Sequence, residues 1–168
     1  MLIIFGGLPG TGKTTLAREL ARQLGAAYLR IDTIEVAIAQ TEDVSIGEAG
    51  YRVGYAVAED NLRLGLAVVA DSVNPLRMTR DAWRNAARRA EVTFVDVLVV
   101  CSDPVEHRRR VETRKTGNAA SDTLTWHHVA TREFESWDCE HIVIDTAGQT
   151  VEQSLGALRT ALSTRGQR

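Results

Sequence analysis

The octet Gly7-Leu8-Pro9-Gly10-Thr11-Gly12-Lys13-Thr14 constrains this 168-residue chain more than any other stretch. It satisfies the pattern G-x-x-x-x-G-K-[ST] residue for residue, and it follows a short apolar run, Leu2 to Phe5, that ends in Gly6-Gly7. Glycines let successive backbone N–H groups turn inward, and at the positive end of a helix such groups make a concave cradle for phosphate oxygens. The spacing predicts that helix directly after the loop. Leu16, Ala17, Leu20, Ala21 and Leu24 recur at intervals of three and four, and Gly25 stands where a helix usually stops. On this reading Gly7, Leu8, Pro9, Gly10, Thr11, Gly12, Lys13, Thr14 and Thr15 surround a polyphosphate. Lys13 reaches the β- and γ-phosphates of ATP, and the Thr14 hydroxyl binds Mg2+.

The rest of the chain alternates in the same way. Ala27 to Ile31 reads as a second strand, followed by Asp32-Thr33-Ile34-Glu35 with the spacing of a capping box. Ser45-Ile46-Gly47-Glu48 repeats that signal before a longer helix whose Tyr51, Tyr55, Ala58 and Leu62 share one face, while Gly47, Gly50 and Gly54 share another that something must approach closely. Leu66 to Ala70 is a third strand ending at Asp71, with an Asn74-Pro75 turn before a helix from about Arg80 to Ala90. Val92 to Val100 is a fourth strand, and Asp103-Pro104 caps the arginine-rich helix after it. Lys115 to Thr123 is small and polar, a lid or surface loop at about 115–125, and a helix follows from about Trp126. His141 to Ile144 is a fifth strand, and Val151, Leu155, Leu158 and Leu162 mark the buried stripe of a last helix, capped by Thr150 and Gln153. Apolar strands alternating with helices predict one domain over 1–168, an α/β fold with a five-stranded parallel sheet between two helical layers. Ligands bind at the carboxyl ends of strands in such sheets, where Asp32, Asp71, Ser102-Asp103 and Asp145-Thr146 fall.

Bulk properties narrow the partners. A net charge of −2 provides no basic field for nucleic acid, and no segment reaches the roughly 20 apolar residues of a membrane span. The N-terminus lacks a charged leader, and Cys101 and Cys139 are too far apart for a metal knuckle, so a cytoplasmic chain with reduced thiols is expected. Asp145-Thr146-Ala147-Gly148-Gln149 looks like the switch segment of small GTPases. It lies near the C-terminus with no N-K-x-D after it, so it reads as a turn near a bound base.

The whole layout resembles the small P-loop kinases of the nucleoside-monophosphate-kinase-like group. That group takes in AAA_33-type proteins, gluconate and shikimate kinases, adenylylsulfate kinase, and the chloramphenicol phosphotransferase and zeta-toxin relatives. Beyond the phosphate loop the sharpest local match is Arg110-Val111-Glu112-Thr113-Arg114-Lys115, which is similar to the arginine pair leading into the lid of gluconate-kinase-like enzymes. The resemblance implies a P-loop NTPase αβα sandwich that uses ATP and magnesium to phosphorylate a hydroxyl of a small molecule. Alternatives are a nucleotide-sugar kinase, an RNA-end kinase, or a nucleotide-binding regulator with slow hydrolysis.

The resemblance also implies roles. Asp32 accepts the proton of the acceptor hydroxyl, or only caps its helix. Asp71 holds magnesium through water, shares the base role, or forms a turn. Arg110 and Arg114 stabilise charge on the transferred phosphoryl group, an effect worth about 10³ to 10⁵ in rate, and Arg110 also contacts the nucleotide. Val73-Asn74-Pro75-Leu76-Arg77 with Arg80 looks like the substrate-side loop of adenylylsulfate kinases, so Arg77 and Arg80 clamp an anionic acceptor, with Arg52 near it. Arg108 and Arg109 read as a solvated face, His127 and His128 as ordinary residues, and Trp126 and Trp137 as core.

Overall fold

Buried on both faces, a strand reads as an unbroken apolar run; all five predicted runs form strands in the computed structural model, which describes residues 1–40, 48–113 and 124–165, and those at 2–6 and 68–71 are buried throughout. The elements are β1 (Leu2–Gly6), α1 (Lys13–Leu24), β2 (Ala27–Arg30), α2 (Ile31–Ala39), α3 (Ala49–Arg63), β3 (Val68–Asp71), α4 (Arg77–Arg89), β4 (Phe94–Val100), α5 (Pro104–Thr113), α6 (Trp126–Ala130), β5 (Ile142–Asp145) and α7 (Val151–Arg165). All strand pairs are parallel, in the order β2-β3-β1-β4-β5. β1 lies between β3 and β4, where the order reverses, so the loop that leaves it opens at the switch point of the sheet.

Side chains alternate across the sheet into two cores. Ile3, Phe5, Val97, Val99 and Ile144 pack with Leu16 and Leu20 of α1 and Leu155 and Leu158 of α7. Leu2, Ile4, Val68 and Ala70 face the other way, onto Ile31, Ala58, Leu62 and Trp83 of α2, α3 and α4. Each such aliphatic side chain contributes about 1.5–3 kcal/mol by leaving water. The α3 glycines let α2 close in: a Cβ on Gly54 would sit 2.5 Å from Ile31 Cδ1 and 3.1 Å from Trp83 Cη2, and one on Gly50 would overlap the Glu35 side chain. Tyr55 meets Trp83 edge-on at 4.7 Å on the neighbouring face.

Several boundaries differ from the sequence expectation. β2 ends at Arg30 and α2 opens at once on Ile31, so Asp32 is not a cap; it sits in the first helical turn with no capping hydrogen bond, favoured there by the helix dipole. α4 starts three residues early because the Arg77 N–H is met by the Glu135 carboxylate, a partner distant in sequence. Leu66 precedes β3 and is exposed, Asp71 belongs to the strand, and Val151 is exposed at the start of α7. α6 has only five residues, with Thr125 and His128 forming a reciprocal cap. The caps at Asp103 and Thr150 form as expected. The Ser45–Gly47 signal and the lid segment from Arg114 to Thr123 lie outside the described residues.

Gly54→Val should overfill the α2–α3–α4 junction. We expect a loss of about 1–3 kcal/mol in denaturant unfolding, with the slope unchanged.

Candidate functional site

Three glycines set the path of the loop after β1. Gly7, Gly10 and Gly12 have φ of 140°, 86° and 90°, a region that side chains rarely adopt. Space enforces the same choice: a Cβ on Gly7 would overlap the Val99 carbonyl, and one on Gly10 would lie 2.6 Å from Val111 Cγ2. Gly12 then ends the loop in a left-handed conformation at the N-terminus of α1, whose first residue, Lys13, is buried. The Thr11 hydroxyl donates to the Leu8 carbonyl at 2.9 Å and closes the turn on itself.

Elements distant in sequence hold this loop from three sides. Thr146, just past β5, donates its hydroxyl to the Thr11 carbonyl at 2.8 Å, with the Val100 carbonyl at 3.1 Å. His107 of α5 is buried, and its Nε2–H donates to the Pro9 carbonyl at 2.8 Å; that bond fixes the tautomer, because a carbonyl only accepts. Asn74 supports the loop from the β3 side, donating from Nδ2 to the Phe5 carbonyl at 2.8 Å, while the Gly7 N–H donates to the Val73 carbonyl at 3.0 Å. Arg110 donates to the Thr146 hydroxyl at 2.7 Å and carbonyl at 2.9 Å, and pairs with Glu106 at 2.8 Å. Beside it a cleft of about 300 Å³ runs along Gly12, Thr15, Arg110, Thr146, Gln149 and Thr150. The Asp145–Gln149 segment is thus a turn packed on the phosphate loop: the Asp145 carboxylate accepts from the Ser102 and Ala147 N–H groups at 3.0 Å each.

On the opposite side of β1 the strand ends bring three charged groups into one cluster. In register, Asp71 lies beside Phe5 of β1 and Arg30 of β2. Arg30 pairs with Asp32 at 2.9 Å and approaches Asp71 at 3.9 Å, and the Tyr28 hydroxyl donates to Asp71 Oδ2 at 2.8 Å. Asp71 is 1% exposed whereas Asp32 is 35% exposed, so Asp32 is the carboxylate open to a ligand. Burial pushes the Tyr28 phenol upward, and the Asp71 charge adds to that. Burial also raises the Glu35 carboxyl, one turn along α2, reinforced by Asp32 and opposed by Arg132.

The remaining predicted residues separate. Arg80 is fully buried; its NH1 and NH2 groups donate to the carbonyls of Asn74, Pro75, Glu135 and Ser136, and its guanidinium stacks on Trp137 at 5.2 Å. This corrects its assignment as an acceptor clamp: it ties the 135–137 segment to the turn after β3. Arg77 is exposed and paired with Asp138 and Asp81. Arg52 is exposed on α3. Arg108 and Arg109 are exposed and paired with Glu112 and Glu106, as a solvated face should be. Trp137 packs over Gly6, and His128 serves the α6 cap. The residues that sequence reasoning missed are His107, Thr146, Arg30 and Asn74. The sequence places Thr146 at the strand edge and Asn74 in the turn after β3 without these roles, and His107 lies one turn before Arg110 on the same helix.

Removing the His107 bond frees the Pro9 carbonyl end of the loop. His107→Ala should weaken ATP binding by roughly three- to tenfold in calorimetry, while Arg108→Ala on the exposed face leaves it unchanged.

The geometry has counterparts. No curated protein sequence matches the chain. The adenylylsulfate (APS) kinase CysC of Mycobacterium tuberculosis, solved with AMPPNP and APS, superposes with a TM-score of 0.73 at 18% identity, covering 96% of each chain. A gluconokinase from Sinorhizobium meliloti 1021 gives 0.64 at 18% identity over 98% of this chain and 95% of its own. Kti12 of Chaetomium thermophilum, in complex with ADP-AlF3, gives 0.68 at 20% identity over 96% and 98%. These likenesses show the P-loop NTPase αβα fold. The AAA_33 profile, described as an AAA domain, matches residues 2–133, and with that match over most of its length the chain belongs to the AAA_33 family.

Proposed function

We propose that this protein is a phosphotransferase that moves the γ-phosphate of ATP to a hydroxyl of a small molecule. The carrying observation is the placement of two unlike surfaces on either side of one phosphate cradle. Toward β4 and β5 lies the Gly12–Arg110–Thr146 cleft, suited to a nucleoside. Toward β3 and β2 lies the open carboxylate of Asp32, held on Arg30. A hydrolase that only turns over nucleotide has no need of the second surface.

In the reaction the acceptor oxygen forms a bond to the γ-phosphorus, the bond from that phosphorus to the β,γ-bridging oxygen breaks, and its electron pair leaves with ADP. The hydroxyl proton passes to the Asp32 carboxylate and then to solvent. Arg30 keeps that carboxylate oriented, and positioning of this kind supplies most of the acceleration in phosphoryl transfer. Lys13 and the loop amides bind the phosphate tail. Thr14 and Asp71 would hold magnesium: Asp71 Oδ1 is buried without a hydrogen-bond partner among the described residues, which leaves it able to accept from a metal-bound water. When bound, the ion neutralises charge on the phosphate oxygens. Arg110, anchored on Thr146 beside Gly12, suits contact with the nucleotide better than with the transferred group, and we assign the latter task to Arg114. Two structural neighbours named as kinases support the reading.

The test is ATP turnover against a metabolite panel with wild-type protein and Asp32→Asn. One or more acceptors should stimulate ADP release, and the variant should lose about 10² to 10⁴ in kcat while keeping its ATP affinity. Activity that survives in Asp32→Asn transfers the base role to Asp71. Tight nucleotide binding that no acceptor stimulates would favour a regulator.

A further inference from the structure

The acceptor side of the cradle has a charge pattern that discriminates among hydroxyl compounds. Asp32 and Asp71 share the single positive charge of Arg30, at 2.9 and 3.9 Å. Glu35 adds a third carboxylate on the same helix; it packs against Gly50, interacts with Asp32 and is opposed by Arg132. Tyr51, on the next turn-face of α3, senses Glu35 and Arg132 as well, and its hydroxyl accepts from the Asn74 N–H at 3.3 Å, which closes the chain of neighbours back to the strand edge. Among the described residues this wall therefore carries three carboxylates against two guanidiniums, both already opposed by acids.

Two of the three cations expected to hold an anionic acceptor, Arg77 and Arg80, are committed elsewhere, and Arg52 is exposed on α3. Arg80 is sealed under Trp137 with its NH1 and NH2 groups on carbonyls, and Arg77 is paired with Asp81 and Asp138. A separate observation concerns hydrogen bonding. Asn74 is 0% exposed, and its Oδ1 has no hydrogen-bond partner among the described residues. Asp71 Oδ1, at the end of β3, is likewise buried without a partner. Oxygens in that state are relieved by donors, which hydroxyl and ammonium groups supply and carboxylate or phosphate groups do not.

We infer that the phosphoryl acceptor is a polyol without an anionic group, neutral or amine-bearing, recognised through its donors by Glu35 and Asn74. This rests on the phosphotransferase reading above. Charge selection by a fixed wall works largely by repelling the wrong ligand.

Coupled ADP release should be measured with three sets: neutral sugars and sugar alcohols, amino sugars and aminocyclitols, and anionic counterparts that include gluconate, sugar phosphates and adenylylsulfate. The expected result is that a neutral or amine-bearing compound exceeds its anionic counterpart in kcat/KM by roughly a hundredfold. Glu35→Lys should shift that ratio at least about tenfold toward the anion, and Glu35→Gln, which keeps the shape, should shift it the same way by less. Equal loss in both arms would mark Glu35 as structural and overturn its role. Preference for an anionic acceptor, abolished by Asp32→Asn, would overturn the inference and leave the phosphotransferase standing. Silence across all three sets with ATP bound would overturn both.

Discussion

The phosphate loop is held open by contacts that its own residues cannot make. A glycine-rich turn has high conformational entropy, and ordering each of its residues costs about 1–2 kcal/mol. Here the Thr146 hydroxyl on Thr11, the His107 ring on Pro9 and the Val73 carbonyl on Gly7 each fix a different point, so β5, α5 and the turn after β3 together impose the curvature. The loop backbone in turn leaves no room for side chains at Gly7 and Gly10, because β4 and α5 pack directly against it. The cradle is therefore a property of the sheet order: only a strand flanked by β3 and β4 can receive braces from both halves of the chain.

That order also separates two chemistries. Helix α5 and the turn after β5 gather on the Gly12 and Arg110 side, where Arg110, Glu106, Thr146 and the Gly148 N–H form one polar network, while residues 135–137 cross over to Arg77, Arg80 and Gly6. The segments from β2 to β3 gather on the Asp32 side. A ligand that spans the two must lay its reactive phosphate across the loop, which is the arrangement a transfer reaction needs.

The sequence reading reached the layers and the loop because both rest on local periodicity and on an octet that is self-sufficient. It identified Asp32 and Asp71 for a related reason: in a parallel sheet the residue after an apolar run lands at the carboxyl edge, whatever else the chain does. It failed where a side chain's role depends on partners far away in the chain. Arg80 follows a turn and looks like a clamp, yet four carbonyls from residues 74–75 and 135–136 and a tryptophan ring enclose it. Thr146 is placed at the strand edge by its position after an apolar run, but its role comes from Thr11, 135 positions earlier. The α4 start fails similarly, since its cap is Glu135.

Buried polar atoms without partners among the described residues occur both beside the cradle and in the packed core. Of the buried side-chain atoms with no hydrogen-bond partner among the described residues, Arg30 Nε and Asp71 Oδ1 belong to side chains that approach to 3.9 Å. Each such atom costs about 1–3 kcal/mol, and a core seldom retains several side by side unless something outside the chain meets them. Under α4, Arg84 reaches Asp96 at 3.0 Å and Asp81 at 2.8 Å, while Asp96 Oδ1 has no partner among the described residues. The Arg30–Asp71 pair at the edge of β2 and β3 stands beside the cradle, where a bound molecule would complete it.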